Sequence, residues 1–548
     1  MGLFLALSLL AAPVTVTFKG NKTFSDKELY EKLGIAPVWW ERLLFHKKPH
    51  VDEKLLPILL DEIKAFYKDQ GFWDVKIDLA LKDQTVTFII QENSPITIHY
   101  IAISSDFPIV SLIPLHRGER FIASAFKASK QKIKKALLKK GYCSYDFDPK
   151  AYIFSKRHSA YLVYALHKGD PCIIKNIQIT GLESIDKKVI LSHIYLRPKE
   201  LFSLEKVNES YRKLYSLGYF RFLNIDYSKK IENQILLDID LKERKKRNIY
   251  KVGLGYDTLN GIHASWYYKN LNYHQLQPTF KAYYSSIKKG IDFTLFVPSV
   301  KLHKWYLDSV GSIGYEHNDF DSFTQRSRYV KMKLLKEFFD LSFSFAINAE
   351  MISITSKSDC LKSGSYAYLY PSLFLLYDKR DSKIAPQKGY FIKDKFKPFT
   401  PETISNEATL GIFYPFSTFT LFAKATLGTI FAESISPDKL FYAGGAKSNR
   451  AYTYRQLHAL DSPCNIGGKS LLDTTIEARY RYNEAMDLAF FWDRTYLSSK
   501  ELHFSASRDG VGVGLIYRTP LGELKAYFGL DPSNPSQNAI NLYLGASF

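Results

Sequence analysis

Four cysteines and thirteen histidines are the residues whose types could support covalent or metal chemistry. No cysteine pair has CxxC spacing and the histidines are scattered, so no metal site is predicted. In an exported chain, cysteines can form disulfides. Cys143 with Cys172, and Cys360 with Cys464, are two candidate pairs, and the sequence alone does not choose among the connectivities.

The glycine-rich run Gly510-Val511-Gly512-Val513-Gly514 superficially matches a phosphate-binding loop. Such a loop follows a strand and opens a helix. Here both flanks have the pattern of strands, so the run is not assigned to a nucleotide. GxSxG, HExxH and Walker sequences do not occur. The sequence therefore indicates a protein that is not an enzyme, with no cofactor.

Composition favours a membrane barrel. The chain has 38 Tyr, 39 Phe and 6 Trp, which suits aromatic girdles at both membrane interfaces; a proteome rich in Tyr and Phe is the ordinary alternative. After residues 1–12, which resemble the core of a signal peptide, no apolar run is long enough for a transmembrane helix. The net charge of +20 indicates a protein that lies near anionic lipid headgroups or attracts acidic partners. No motif for nucleic-acid recognition is present.

The first 247 residues carry a weak internal repeat. Its marker is a helical pattern that ends in Gly-aromatic, at Gly71-Phe72, Gly141-Tyr142 and Gly218-Tyr219. A glycine there suits the left-handed end of a helix. The order strand, helix, helix, strand, strand predicts three small α+β units. Their predicted bounds are 13–95, 96–171 and 172–247.

From residue 248 to residue 548, helical periodicity disappears and runs of about ten residues alternate between apolar and polar, as in a membrane barrel. A soluble sandwich also alternates, but its strands are shorter. We therefore predict an all-β barrel of sixteen strands. The predicted strands are 248–258, 261–272, 277–287, 290–297, 304–316, 322–334, 339–355, 365–378, 388–399, 404–415, 418–432, 469–483, 486–494, 509–518, 522–530 and 538–548.

Three motifs, in this order, carry a family resemblance: the run 253–258 (Gly-Leu-Gly-Tyr-Asp-Thr), the turn 377–390 and the hairpin 510–522. Together with the repeat, they resemble the outer-membrane assembly family that includes BamA and TamA. The resemblance covers nearly the whole chain. It implies periplasmic POTRA modules, an outer-membrane barrel of sixteen strands, and a terminal aromatic residue, here Phe548, that serves as an insertion signal.

The resemblance also implies roles for particular residues. The family folds one extracellular loop into the barrel lumen, and its Arg-Gly-aromatic tip corresponds to Arg450-Ala451-Tyr452, with Ala in place of Gly. We expect Arg450 to meet acidic residues of the wall. The residues expected to form this lumen lock are Arg450, Tyr452, Glu477 and Asp493, with Gly444, Gly445 and Ser448 in the loop motif. The barrel seam is expected to involve Gly253, Gly255, Gly545 and Phe548.

The function implied is insertion or translocation of client proteins, captured by POTRA modules and paired with strands at the seam. Expected partners are unfolded outer-membrane or secreted clients, membrane lipids, and a periplasmic chaperone or an inner-membrane protein. Two alternatives stay open: an export pore for two-partner secretion, and a passive channel or adhesin. Three predicted POTRA units favour a TamA-like protein over the other members.

Overall fold

A computed structural model of the chain describes residues 13–36, 49–258, 261–359, 361–462, 466–483, 485–519 and 522–544. Two compact units are present. The first consists of residues up to Thr180 with Ile194–Arg212 and Asn224–Asp240. The second consists of Gly181–His193, Lys213–Leu223 and the residues from Leu241 onward. The predicted signal-peptide core, 1–12, lies outside the described residues.

The first α+β segment has strands β1 (Pro13–Lys19), β2 (His50–Asp52), β3 (Lys76–Lys82) and β4 (Thr85–Gln91), and helices α1 (Asp26–Lys32) and α2 (Leu56–Asp69). Its sheet has the order β2-β1-β4-β3, with β1 and β4 parallel. One face of α2 is buried against the sheet through Leu56, Leu59, Ile63 and Tyr67, the spacing expected of an amphipathic helix.

The second α+β segment differs from the predicted order of elements. It has strands β5 (Thr97–Ser105), β6 (Asp146–Phe154) and β7 (Ser159–His167) but one α-helix, α3 (Ala123–Lys139). A single 3₁₀ turn, Val110–Leu112, stands where the first helix was predicted. Pro108 and Pro114 flank this turn. Because proline removes a backbone donor and restricts the preceding residue, an α-helix does not propagate there.

The third segment has strands β8 (Ile173–Thr180), β9 (Phe220–Asp226), β10 (Lys230–Ile231) and β11 (Gln234–Glu243), and helices α4 (Lys187–His193) and α5 (Leu204–Ser216). Strand β11 pairs with β8, β9 and β10. The glycines of all three Gly-aromatic corners have positive φ, which confirms the left-handed helix ends. A disulfide joins Cys143 and Cys172; Cys360 and Cys464 lie outside the described residues.

A carboxylate closes the first loop of the third segment. Glu243 is buried and accepts hydrogen bonds from the backbone N–H groups of Glu183, Ser184 and Ile185 at 2.9, 2.8 and 3.0 Å, and from the Ser184 hydroxyl. Burial alone would raise the pKa of Glu243, but the hydrogen bonds from Ser184 and its neighbours outweigh it, so the pKa is lowered. In the first segment, Glu92 accepts from Thr23 in the same way.

The remaining strands form one antiparallel sheet of sixteen strands in sequence order, as predicted. Its strands are β12 (Asn248–Asp257), β13 (Gly261–Asn270), β14 (Gln277–Ser285), β15 (Lys288–Leu302), β16 (Trp305–Asp319), β17 (Phe323–Phe338), β18 (Leu341–Ser356), β19 (Gly364–Asp378), β20 (Gly389–Thr400), β21 (Thr403–Phe416), β22 (Phe419–Phe431), β23 (Ser470–Arg481), β24 (Met486–Ser498), β25 (Ser507–Thr519), β26 (Gly522–Asp531) and β27 (Asn534–Leu544).

Four strands differ from their predicted bounds by four residues or more, namely β15, β17, β24 and β27. Strands β17 and β24 each end four residues later than predicted, at Phe338 and Ser498. Strand β15 is longer than predicted because pairing resumes after a bulge between Val297 and Val300, which accommodates Pro298. Strand β27 begins four residues earlier, at Asn534, because its hairpin with β26 is tight. The predicted end of this strand, 545–548, lies outside the described residues.

The first and last barrel strands approach each other at the seam, where the sheet has its two ends. In the described parts of β12 and β27 no ladder joins them, and the hydrogen bonds gather at Thr258. Its backbone N–H donates to the Leu542 carbonyl at 3.3 Å, and the Leu542 N–H donates to the Thr258 hydroxyl at 3.2 Å. The barrel is therefore nearly closed, with a thin seam.

Candidate functional site

The inner loop, residues 432–469 between β22 and β23, runs along lumen-facing side chains of the barrel wall. Several of its residues are almost completely buried, including Ala443, Ala451 and Arg450. The Lys424 ammonium of β22 donates to the Lys447 carbonyl at 2.7 Å. Near the start of the loop, Lys439 forms an ion pair with Glu350 of β18. The loop is thus bound to both halves of the wall.

Arg450 meets both predicted carboxylates. Its Nε and Nη2 donate to the two oxygens of Asp493 at 2.9 and 2.8 Å, and its backbone N–H donates to Asp493 at 3.0 Å. Its Nη1 donates to Glu477. Arg450 is 4% exposed, Glu477 2% and Asp493 0%. A parallel pair of bonds from a guanidinium to one carboxylate fixes orientation as well as charge.

Aromatic rings and further charges surround this Arg450 cluster (Arg450, Glu477 and Asp493). The guanidinium lies over the Phe491 and Tyr527 rings, 3.7 and 4.6 Å from their centroids. Glu477 also accepts from Arg479 Nε at 2.6 Å. Beyond Arg479, Glu523 and Lys525 continue a chain of alternating charges, all of them buried. Sequence reasoning missed these last three residues, although their parity faces the lumen.

The other predicted loop residues shape the tip. Gly444 and Gly445 both have positive φ, a conformation that glycine adopts without strain. The Gly445 N–H donates to the Tyr452 carbonyl at 2.9 Å, so the tip folds back on itself. The Ser448 hydroxyl donates to Asp473 of β23 at 2.9 Å. The Tyr452 hydroxyl donates to Asp531 at the end of β26.

The alanine that replaces the family glycine is accommodated without strain. Ala451 has no positive φ, so its methyl group meets no backbone penalty. A Cβ on Gly510 of β25 would lie 3.0 Å from the Ala451 methyl and 2.2 Å from the Asn449 amide oxygen. On β26, a Cβ on Gly529 would lie 2.5 Å from the Arg450 carbonyl oxygen. These two wall glycines allow the loop to approach, and sequence reasoning missed that role.

A second departure concerns the residue after Asp493, where the family resemblance implies a glycine and this chain has Arg494. Its guanidinium binds Asp509 of β25, with Nε and Nη2 at 2.7 and 2.8 Å from the two carboxylate oxygens. Neighbouring side chains of a strand point to opposite faces, so Arg494 points away from the lumen, where Asp493 lies. The substitution leaves the Arg450 cluster untouched.

The predicted seam residues are placed only in part. Gly253 and Gly255 lie on β12, opposite Ser265 and His263 of β13. A Cβ at either glycine would meet only side-chain atoms of these partners, at 2.9 and 2.8 Å. Neither glycine is therefore required by a close backbone approach, and both weaken a strand by lacking a side chain. Gly545 and Phe548 lie outside the described residues.

The inner loop also contacts the last barrel strand. The Asn541 amide donates to the Arg450 carbonyl at 2.8 Å, and the Gln537 amide donates to the Ala451 carbonyl at 3.1 Å. The Lys447 ammonium lies 5.0 Å from the centroid of the Tyr543 ring. The tip of the loop thus connects β27 with the Arg450 cluster.

Within the described ranges, no three His, Cys, Asp or Glu side chains are grouped as metal ligands would be. No helix in the part of the chain that the structure describes has the length and apolar character to cross a membrane.

Comparison with known families identifies two regions. The Omp85 superfamily domain matches residues 311–548, and a POTRA domain, described as a surface antigen variable number repeat, matches residues 172–244. The first match covers β17 to β27 with most of β16, and it includes the whole inner loop. The second covers the third α+β segment.

Two curated relatives are similar in sequence. The outer membrane protein assembly factor BamA of Neorickettsia risticii (strain Illinois) is 20% identical over 93% of this chain and 74% of its own length. A putative outer membrane protein assembly factor of Treponema pallidum (strain Nichols) is 22% identical over 55% of this chain. The present chain spans 37% of that longer relative.

A solved structure shows the same fold. BamA from Haemophilus ducreyi lacking POTRA domains 1–3 superposes with a TM-score of 0.54 at 13% identity, covering 82% of this chain and 98% of that one. The Omp85 and POTRA matches, with the BamA relative, place the amino-terminal region in the periplasm and the barrel in the outer membrane. The chain belongs to the BamA/TamA-like group of the Omp85 superfamily.

Proposed function

We propose that this protein is an outer-membrane assembly factor that guides client β-strands into the membrane at the seam between β12 and β27. The observation that carries the proposal is the seam itself, where hydrogen bonding between the described parts of the two strands gathers at Thr258. Both relatives reported above are named as outer-membrane protein assembly factors, which supports the same function.

The physical argument concerns unpaired backbone. A strand that enters lipid alone leaves its N–H and C=O groups unsatisfied, at several kcal/mol for each group. An existing strand with a free edge can satisfy them by strand addition. Strand β12 offers such an edge, and Gly253 and Gly255 reduce what its present pairing contributes. A client strand that pairs with β12 therefore crosses the membrane with its backbone already hydrogen-bonded.

Client capture in the periplasm is assigned to the edges of the α+β sheets. Strands β5 and β6 form the two edges of the second sheet, and each has nine residues. Apolar side chains are exposed on both: Tyr100 and Ile103 on β5, Tyr152 and Phe154 on β6. Long edges with exposed apolar residues add strands readily. We propose that the three segments, with bounds 13–95, 96–171 and 172–247, act as POTRA modules for unfolded clients.

The Arg450 cluster is assigned a positioning role. Because the inner loop is anchored by a buried ion pair and also bonds to β27, it holds the last strand while the seam opens on the other side. It also occupies part of the lumen, which argues against a passive channel. No energy source besides client folding is needed.

The experiment is a reversible staple across the seam. In a strain depleted of its own copy, the variant Thr258→Cys with Leu542→Cys is oxidised, and heat-modifiable outer-membrane barrels are quantified. We expect assembly to stop when the staple forms and to resume after reduction. The matched control is Val513→Cys with Phe528→Cys, which staples β25 to β26, strands that are already paired, and should leave assembly unchanged.

Other outcomes reject the proposal. If the stapled protein assembles barrels as well as the control does, the seam is not the route of insertion. If barrels fold normally while a secreted polypeptide accumulates in the periplasm, the protein is an export pore. If neither client class is affected and only ion conductance changes, the protein is a channel.

A further inference from the structure

A row of basic residues lies across three neighbouring strands of the barrel. Lys289 of β15 is directly opposite His317 of β16, and His317 is directly opposite Arg326 of β17. Arg328 follows two residues after Arg326 on the same face, opposite Tyr315. Directly opposite residues in antiparallel strands have Cα atoms about 4.5–5.5 Å apart. The basic row (Lys289, His317, Arg326 and Arg328) is therefore compact.

The basic row faces the lipid and not the lumen. The next residues of the same parity on β17, Val330 and Met332, are apolar and 54% and 59% exposed. The residues of opposite parity, such as Tyr329 and Lys331, line a cavity inside the barrel. Since neighbouring side chains alternate between faces, the row must point outward.

The row lies near the extracellular end of its strands. Strand β17 runs from its extracellular end at Phe323 towards the periplasm, so Arg326 and Arg328 follow that end by three and five residues. With the usual rise and tilt of barrel strands, they lie about 8 and 13 Å below it. A cation on the lipid face is costly at the centre of the bilayer and much less so near an interface. This depth corresponds to the headgroups of the outer leaflet.

The basic row has no directly bound carboxylate within the described chain. Within the described ranges, none of its four side chains forms a hydrogen bond or an ion pair with a protein group. The acidic residue of the same face, Asp319, is bound to Lys357 at 2.8 Å and to Thr324. Glu316, next to the row in sequence, has lumen parity and is bound to Lys288. Lys289, Arg326 and Arg328 therefore carry positive charges that no carboxylate of the described chain binds directly.

An apolar depression adjoins the row on the same face. Its volume is about 860 Å³, and Arg328 and Tyr315 are among the residues that line it. Two small side chains, Ala349 and Ala367, also line it. The larger outward-facing residues that line it are Phe280, Ile291, Phe293, Ile313, Val330, Met351 and Leu369.

We propose that this face is a binding site for a phosphate-bearing lipid of the outer leaflet, with its phosphate on Arg326, Arg328 and Lys289 and an acyl chain in the depression. Guanidinium groups bind phosphate through two parallel hydrogen bonds, and each basic residue near the surface attracts an anionic lipid. The basic row accounts for the headgroup, and the space that Ala349 and Ala367 leave in the lining accounts for the chain. The site lies on β14 to β19, away from the seam.

The test compares lipid retention by the full chain in detergent, measured by native mass spectrometry. Phosphatidylglycerol is the anionic probe and phosphatidylcholine the zwitterionic control. We expect the wild-type protein to prefer phosphatidylglycerol by roughly tenfold or more, and Arg326→Gln with Arg328→Gln to lose that preference. Lys331→Gln changes the charge of the same strand on the lumen face and should keep it.

A second variant tests the depression with the charges intact. Ala367→Phe should fill part of the depression and reduce retention of phosphatidylglycerol. If the double arginine variant does not give a heat-modifiable barrel, this variant alone tests the proposal. Excess inorganic phosphate should not displace the lipid. The proposal is overturned if the wild type shows no preference, if Lys331→Gln loses as much as the arginine variant, if Ala367→Phe binds normally, or if free phosphate competes fully.

Discussion

Gly529 makes a sharp prediction about the inner loop. A Cβ at this position would lie 2.5 Å from the Arg450 carbonyl oxygen and 2.9 Å from the Ala451 nitrogen. Ordinary contact for such a pair begins near 3.4 Å, so Gly529→Ala requires a displacement of 3.4 − 2.5, or about 0.9 Å. Both clashing atoms belong to the loop backbone, which cannot turn aside as a flexible side chain could.

The displacement acts directly on the Arg450 cluster. If it falls along the two bonds to Asp493, their lengths of 2.9 and 2.8 Å become about 3.8 and 3.7 Å, beyond the range of a hydrogen bond. Hydrogen bonds to charged groups contribute about 1.5–3 kcal/mol each. We expect Gly529→Ala to weaken loop docking by about 3 kcal/mol, which is on the order of a hundredfold in the docking equilibrium.

The assay is tryptic cleavage of the folded barrel after Lys447 and Arg455, both in the inner loop. Because cleavage follows the population of the open loop when reclosing is fast, Gly529→Ala should be cut on the order of a hundredfold faster. The control is Gly311→Ala on β16, where a Cβ would meet no atom within 4 Å. If Gly529→Ala remains heat-modifiable and is cut no faster than Gly311→Ala, the close approach does not hold the loop.

Three further predictions concern charge, pH and the disulfide. Arg450→Ala leaves two carboxylates buried without their partner and should lower the free energy of unfolding by about 3–5 kcal/mol. Arg450→Lys keeps the charge but loses the paired bonds, so its heat-modification midpoint should fall less than that of Arg450→Ala. Because the pKa of Glu243 is lower in the folded protein than in the unfolded chain, the ionised carboxylate stabilises the fold at pH values above its unfolded pKa. This stabilisation is lost as the pH falls through the folded pKa, so wild-type protease resistance around Ser184 should decline in acid, and Glu243→Gln should make that decline smaller. The Cys143–Cys172 bond spans 29 residues, and replacing both with serine should cost about 3–4 kcal/mol, read as a lower urea midpoint for proteolysis of that segment.

The barrel could be predicted from the sequence because its signal is local. Alternation with period two gave the number of strands and most of their bounds, since each strand presents one face to lipid and one to the lumen. The failure in the second α+β segment is also local: the repeated order of elements predicted a first helix there, but Pro108 and Pro114 flank a single 3₁₀ turn instead. Here the local proline signals outweighed the repeat.

The features that could not be predicted from the sequence are those that depend on which residues lie opposite each other in the folded barrel. Gly529 is one strand glycine among many until the loop backbone is seen 2.5 Å from where its Cβ would be. The basic row likewise consists of residues far apart in sequence, and only the register of β15, β16 and β17 brings them together. The contact of Arg450 with two carboxylates was expected from family resemblance alone.

The bonds between the inner loop and β27 make the two sides of the seam mechanically unequal. Asn541 and Gln537 tie the last strand to the loop tip, while no hydrogen bond joins the loop to β12 anywhere in the described chain. The last strand is thus supported from inside the barrel, whereas the first strand is held on one side only, by its pairing with β13. Displacing β12 at the seam would break little more than the contact at Thr258, whereas displacing β27 would disturb the loop and its buried ion pair. We therefore expect the seam to open by outward movement of β12. Because β27 stays in place, the barrel should close again in the same register.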